Sequence, residues 1–307
     1  MKTRLLLSVM VLTLLITSCG QPAASPTPRP TPTTALARAL KVPADDVTLH
    51  VRIAGDPKAG DVLIAIHGGP GNSSEYMLSL EQLASAEFAL VNYDQRGTGQ
   101  STEPSEGYMM PKYIADLEAV RQAVGVERVH LLGHSWGGLV ALRYAAAHPQ
   151  RVSSIILMGS GVLTPEAAQD GQRNKAQRIA ALQEQGIIPE TLTSLADILP
   201  AYFSDPNFDM PEELKNMYYN PTVEQMTWAA LGDYDFAAGV GTLDHPVLVL
   251  WGQDDPFGLA YVEATKRALS AATVEIVVLE KCDHYWHECP DEFFSHVRAF
   301  LELPPAP

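Results

Sequence analysis

Arg128-Val129-His130-Leu131-Leu132-Gly133-His134-Ser135-Trp136-Gly137-Gly138-Leu139-Val140-Ala141-Leu142-Arg143-Tyr144 holds a Gly-x-Ser-x-Gly pentapeptide between an apolar, β-like run and a helix-like stretch. In that setting the pentapeptide reads as a strand-to-helix turn so tight that small residues must flank Ser135. Such a turn lifts the serine Oγ clear of the sheet, and the glycines relieve the clash around a strained residue. Ser135 is therefore the candidate nucleophile, and the chain reads as a serine hydrolase.

Outward from this turn, Asp61–Ile66, Phe88–Tyr93, Val129–Leu132, Ser154–Met158 and Val247–Trp251 are near-continuous apolar runs rich in branched residues. Runs of that kind mark parallel strands buried on both faces. Helical patterns such as Tyr113–Arg121 lie between several of them, and strand alternating with helix predicts a mostly parallel α/β sheet flanked by helices. Val47–Ile53 alternates as an antiparallel edge strand would, and Thr273–Leu279 reads as the last strand. The alternation breaks over 161–244, where helical segments at Gly171–Gln185 and Pro211–Tyr219 are interspersed with Pro189, Pro200, Pro206 and Pro221. This predicts a helical cap over the strands' C-terminal ends, leaving a core of 39–160 and 245–303. Leu192, Leu195, Ile198, Leu199, Tyr202 and Phe203 are too apolar for a disordered insertion.

The first 18 residues carry Lys2 and Arg4 ahead of a short apolar run, the pattern of an export signal. The run stops at Ile16-Thr17-Ser18-Cys19, which resembles a bacterial lipobox and makes Cys19 the expected site of lipidation. Residues 19–38 are rich in proline and threonine and read as an extended, polar tether. Together these features predict an exported lipoprotein held at the cell envelope by its lipid anchor. A net charge of −15 would repel nucleic-acid phosphates, so nucleic acid is excluded as a partner. Cys282 and Cys289 remain after maturation and allow at most one disulfide.

A serine hydroxyl needs a general base, and histidine is the usual one. Of nine histidines, His284 lies just beyond the last strand, where a loop returns over the strand ends. His287 is its nearest competitor, but it sits beside a helix start at Pro290. The chain order Ser, acid, His places the acid between Ser135 and His284. Asp254 and Asp255 both follow the strand ending at Trp251-Gly252, with Asp255 the favoured choice in a Gly-x-x-Asp turn. The backbone N–H of Trp136 is one expected oxyanion donor, and the glycines of His67-Gly68-Gly69-Pro70-Gly71 permit a second. Cys282, His284, His287 and Cys289 are zinc-type ligands, yet they share one short loop and fit no standard finger spacing. No metal or cofactor is expected.

His67–Gly71, Asp94-Gln95-Arg96-Gly97-Thr98-Gly99-Gln100-Ser101, Gly133–Gly138, Gly252–Asp255 and His284 together resemble the proline iminopeptidase group of α/β-hydrolases, with a match running from Leu63 to Phe300. The resemblance implies Ser135 as nucleophile, Asp255 and His284 as its partners, and Gly69 with Trp136 as oxyanion donors. It also implies that cap carboxylates bind the substrate's free amine, with Glu212, Glu213 and Glu224 available. One departure is His134, where that group commonly carries Gly or Gln and esterase-like members more often carry His. The expected activity is release of N-terminal proline, or a similar residue, from small peptides. The rivals are an esterase or amidase using the same triad, and a lipoprotein that uses an inactive hydrolase fold for binding.

Overall fold

Eight strands form one sheet in the computed structural model, which describes residues 37–162, 164–232 and 234–305. They are β1 (Arg38–Ala44), β2 (Val47–Ala54), β3 (Asp61–Ile66), β4 (Phe88–Tyr93), β5 (Val129–His134), β6 (Val152–Met158), β7 (Pro246–Gly252) and β8 (Thr273–Leu279). Their order across the sheet is β1-β2-β4-β3-β5-β6-β7-β8. β3 to β8 run parallel, whereas β1 pairs with β2 and β2 with β4 in antiparallel fashion. β2 is therefore not the edge. β1, unanticipated from the sequence and starting within the expected tether at Arg38, covers it in register from Arg38↔Ile53 to Ala44↔Val47. Alternation in β2 reports that one face is less buried, which says nothing about whether another strand lies alongside. Pro43, which has no N–H to donate, suits β1 to the outer position.

Among the described residues eight α-helices accompany the sheet: α1 (Met110–Val124), α2 (Trp136–Ala147), α3 (Pro165–Glu184), α4 (Leu195–Ile198), α5 (Glu212–Lys215), α6 (Pro221–Leu231), α7 (Ala260–Ala268) and α8 (Pro290–Phe300). The apolar strand runs feed two cores. Ile64, Ile66 and Leu131 pack with α1 and α2 on one face, while Leu63, Ala65 and Leu132 pack with α8 and a 3₁₀ segment, Glu75–Leu83, on the other. Burial of neighbouring residues on opposite faces explains why these strands show no polar alternation.

Between β6 and β7 the chain runs through α3 to α6 without a strand of the sheet. α3 begins earlier than its periodicity suggests, because Thr164 accepts a hydrogen bond from the Ala167 N–H at 3.2 Å and Pro165 fits the first turn. The segment expected over Pro211–Tyr219 shrinks to α5, and α6 starts instead at Pro221 behind an Asn220 cap. The C-terminal ends of β3 to β8 point to one edge of the sheet, and the loops leaving them carry His67, Asp94, Ser135, Gly159, Asp255 and His284.

Candidate active site

Ser135 joins β5 to α2 with φ 52°, a conformation that side chains other than glycine rarely adopt. The turn holds because its surroundings leave no alternative: the Ser135 N–H donates to the Met158 carbonyl at 3.0 Å. A Cβ on Gly137 would lie 2.0 Å from the Ile66 carbonyl oxygen, so β3 and α2 can approach only with glycine there. The reason inferred from the sequence for the flanking glycines thus has specific collision partners.

His284 and Asp255 meet across the loops after β8 and β7. The His284 Nδ1–H donates to Asp255 Oδ2 at 2.9 Å, and Asp255 Oδ1 accepts the Phe257 N–H at 2.9 Å. Both side chains are buried, and because a carboxylate can only accept, the hydrogen bond places the imidazole proton on Nδ1 and leaves Nε2 to act as a base. Asp254 is directed elsewhere, accepting from the Ser204 hydroxyl at 2.5 Å. His287 packs on Trp286 and lies 3.9 Å from Glu213, away from the Ser135 cavity, and burial lowers its pKa to about 4. Cys282 and Cys289 are joined by a disulfide with Cα atoms 5.5 Å apart, closing a ring that contains His284.

The loop after β3 lies against the serine. A Cβ on Gly68 would come within 2.9 Å of the Ser135 Cβ, and Gly69 adopts φ +46°. The Gly68 N–H is engaged by the Tyr76 hydroxyl, whereas the Gly69 N–H finds no acceptor among the described residues. Trp136 opens α2, so its N–H belongs to the first turn, where helical donors have no intrahelical partner. Gly69, Ser135 and Trp136 all line one cavity. The Asp94–Ser101 motif supports this loop from below. Gln95 donates its N–H to His67 Nε2 at 3.0 Å and its amide to the His67 carbonyl at 2.8 Å, and accepts from the Trp136 indole at 2.8 Å. Asp94 accepts from Ser74 and from the Gln100 N–H, and the buried Arg96 pairs with Asp116 and Asp46.

His134 connects both sides of the site. The Tyr76 hydroxyl, already accepting from Gly68 at 2.5 Å, donates to His134 Nδ1 at 2.6 Å. The His134 Nε2–H donates to the His284 carbonyl at 2.9 Å. Burial, with the neighbouring His284 next in weight, holds His134 well below the ordinary histidine range, so the ring is neutral and its single proton is committed to His284. Sequence reading found His134 only as a departure from a motif. Tyr76 carried no signal at all, since its role depends on a contact 58 residues away along the chain.

The cavity above Ser135 measures about 500 Å³ and is bounded on one side by the sheet loops and on the other by α3, α4 and α6. Of the three glutamates, Glu224 lines it and accepts a hydrogen bond from Tyr219. Glu212 is exposed beside Lys215 and Asn216, and Glu213 faces His287. Trp228 and Tyr202 add aromatic walls, the latter 5.4 Å from the His284 ring. Arg178 of α3 ties this insertion to the loops after β7 and β8 by donating to the Asp254 and Phe203 carbonyls and pairing with Asp283 at 3.0 Å.

The sequence pattern of the alpha/beta hydrolase fold matches residues 61–288. The chain belongs to the α/β-hydrolase family. This α/β-hydrolase is 27% identical over 288 residues to the proline iminopeptidase of Lactobacillus helveticus (strain DPC 4571), with 85% of this chain and 97% of that protein covered. Its fold is shared by the proline iminopeptidase of Mycobacterium smegmatis, with a TM-score of 0.66, 21% identity and coverage of 86% of this chain and 98% of that one. It is shared equally by the esterase EaEST from Exiguobacterium antarcticum, with a TM-score of 0.64, 21% identity and coverage of 86% and 100%. The α/β-hydrolase is thus a hydrolase homologous to proline iminopeptidases. Among its described residues no helix is long and apolar enough to cross a membrane, and Cys19 lies outside them.

Proposed function

We propose that this hydrolase is a serine aminopeptidase that releases an N-terminal proline, or a similar residue, from short peptides. The observation that carries the reading is Glu224, an acidic side chain on the wall of the cavity that also holds Ser135 and the His284–Asp255 pair. A carboxylate there recognises a substrate's terminal ammonium by a charge-assisted hydrogen bond. Ser135 Oγ attacks the carbonyl carbon of the first residue while His284 Nε2 takes its proton. The N–H groups of Gly69 and Trp136 receive the developing oxyanion, each such donor contributing about 2.7–4 kcal/mol in comparable sites. Collapse breaks the C–N bond, and His284 passes the proton to the leaving amine. Water then attacks the acyl-enzyme by the same route in reverse. Asp255 keeps the imidazole oriented and stabilises it when it is charged. On this reading Cys19 carries the lipid anchor, which holds the exported enzyme at the cell envelope.

Esterase action is the second reading, favoured by His134 in the serine turn and by the fold shared with EaEST. Free and N-acetylated prolyl arylamides separate the two. The aminopeptidase prefers the free amine by about tenfold or more, since acetylation removes the charge partner of Glu224. Equal kcat/KM for both compounds, with faster cleavage of short aryl esters, selects the esterase. Labelling by a fluorophosphonate that Ser135→Ala abolishes supports the acyl-enzyme under either reading, and its absence in the unaltered protein rejects both.

A further inference from the structure

Lys175 is a cation inside the cavity that the reaction above does not use. It projects from α3 into the wall that also carries Glu224, and its ammonium makes no hydrogen bond or ion pair among the described residues. Its Nζ lies 5.4 Å from the centroid of the Phe257 ring. Burial lowers its pKa and Glu224 opposes that shift, which leaves a partly desolvated ammonium with no acceptor of its own. Taking such a group out of water is unfavourable unless an anion meets it.

The position of Lys175 identifies that anion. The Phe257 centroid lies 5.1 Å from the His284 ring, so Lys175 stands one aromatic ring beyond the base. His284 hands its proton to the leaving nitrogen, so the leaving group departs on this side of the cavity. From that nitrogen, one extended residue spans about 3.5 Å, and a charge-assisted hydrogen bond adds about 2.8 Å. Nζ lies no more than about 10.5 Å from the centre of the His284 ring, within reach of the α-carboxylate of a single leaving residue, and a second residue displaces that carboxylate by about another 3.5 Å.

We infer that Lys175 binds the C-terminal carboxylate of the leaving residue, so that the preferred substrates are free, zwitterionic dipeptides. The inference rests on the aminopeptidase reading: Glu224 takes the ammonium end and Lys175 the carboxylate end. No ion pair joins Glu224 to Lys175 among the described residues, and the Tyr219 hydroxyl occupies only one oxygen of Glu224, so a ligand can lie between the two charges. A cavity of about 500 Å³ suits a ligand of that size.

The test compares prolylalanine with prolylalaninamide and prolylalanylalanine, each assayed for released proline. A charge-assisted contact predicts kcat/KM about tenfold or more higher for prolylalanine than for the other two. Lys175→Met brings the ratio of dipeptide to amide close to one, and Lys175→Arg keeps most of it. Fluorophosphonate labelling confirms that each variant retains a competent serine. Equal rates for the dipeptide and its amide in the unaltered enzyme overturn the carboxylate site while leaving the aminopeptidase reading intact. So does an undiminished preference in Lys175→Met. No turnover of any of the three peptides overturns both.

Discussion

Two adjacent aspartates with opposite tasks show how much a single residue's surroundings decide. Asp255 is buried, accepts from His284 and is braced by the Phe257 N–H, whereas Asp254 accepts from a serine of the insertion. Asp255→Asn therefore lowers kcat by several powers of ten, because an amide can no longer hold the imidazole in the required tautomer. Asp254→Asn costs less than tenfold, and a comparable loss in both variants would refute the assignment. Tyr76 is a positioning residue. Its hydroxyl holds the Gly68 N–H and His134 Nδ1 together, so Tyr76→Phe leaves a buried donor and a buried acceptor unpaired. Because Tyr76 touches the loops and lies outside the cavity lining, kcat should fall about tenfold with KM nearly unchanged. A loss of stability with kcat preserved would reduce Tyr76 to a packing role.

At the scale of elements, the insertion is fastened where the chemistry sits. Glu288 accepts the N–H groups of Ser204 and Asp205 at 2.8 and 2.9 Å, and Arg178 joins α3 to the loops bearing Asp255 and His284. Arg178→Ala leaves the Asp254 and Phe203 carbonyls and the buried Asp283 side chain without their donor, and the expected loss is about 2 kcal/mol. Denaturant unfolding measures it, and a change below 1 kcal/mol would show that the pair is not coupled to folding. The disulfide acts on the same loop from the other side. Thiol titration of the denatured, unreduced chain begun after Cys19 should find no free thiol, and mild reduction should lower kcat as the His284 ring loosens.

For the whole molecule, buried histidines and buried carboxyls pull the pH dependence of stability in opposite directions. Burial lowers the pKa values of His67, His134 and His287, the last to about 4. In the unfolded chain these rings take up protons below about pH 6.5 while the folded chain does not, so their contribution is present above that pH. It is lost as the pH falls from about 6.5 towards 4. Asp283, Asp116 and Glu288, all raised by burial, work in the opposite sense over this window, while burial of His130 acts with the other rings. The melting temperature of the unaltered chain relative to His287→Gln should therefore fall between about pH 6.5 and 4.5, and a pH-independent difference would contradict the neutral state assigned to that ring. The proposed anchor has its own test. The full chain should partition into detergent and Cys19→Ala into the aqueous phase, since two acyl chains anchor stably.

Local features of the sequence were enough for the sheet's central strands and the tight turn at Ser135, and for singling out His284 and Asp255, which the fold joins by a hydrogen bond. Each of these is written within a few neighbouring residues: a two-face apolar run, glycines that avoid named collisions, an acid and a base just past strand ends. β1 escaped notice because pairing along β2 is a property of two segments, and its Lys41 and Pro43 resemble the polar stretch before it. The Tyr76–His134–His284 chain, the selection of Glu224 from three glutamates and the placement of Lys175 beside Phe257 were likewise decided only in three dimensions. The physical reason is common to all of them. A hydrogen bond or a cavity wall joins residues far apart in sequence, and nothing in the immediate neighbours of either one records where the other will be.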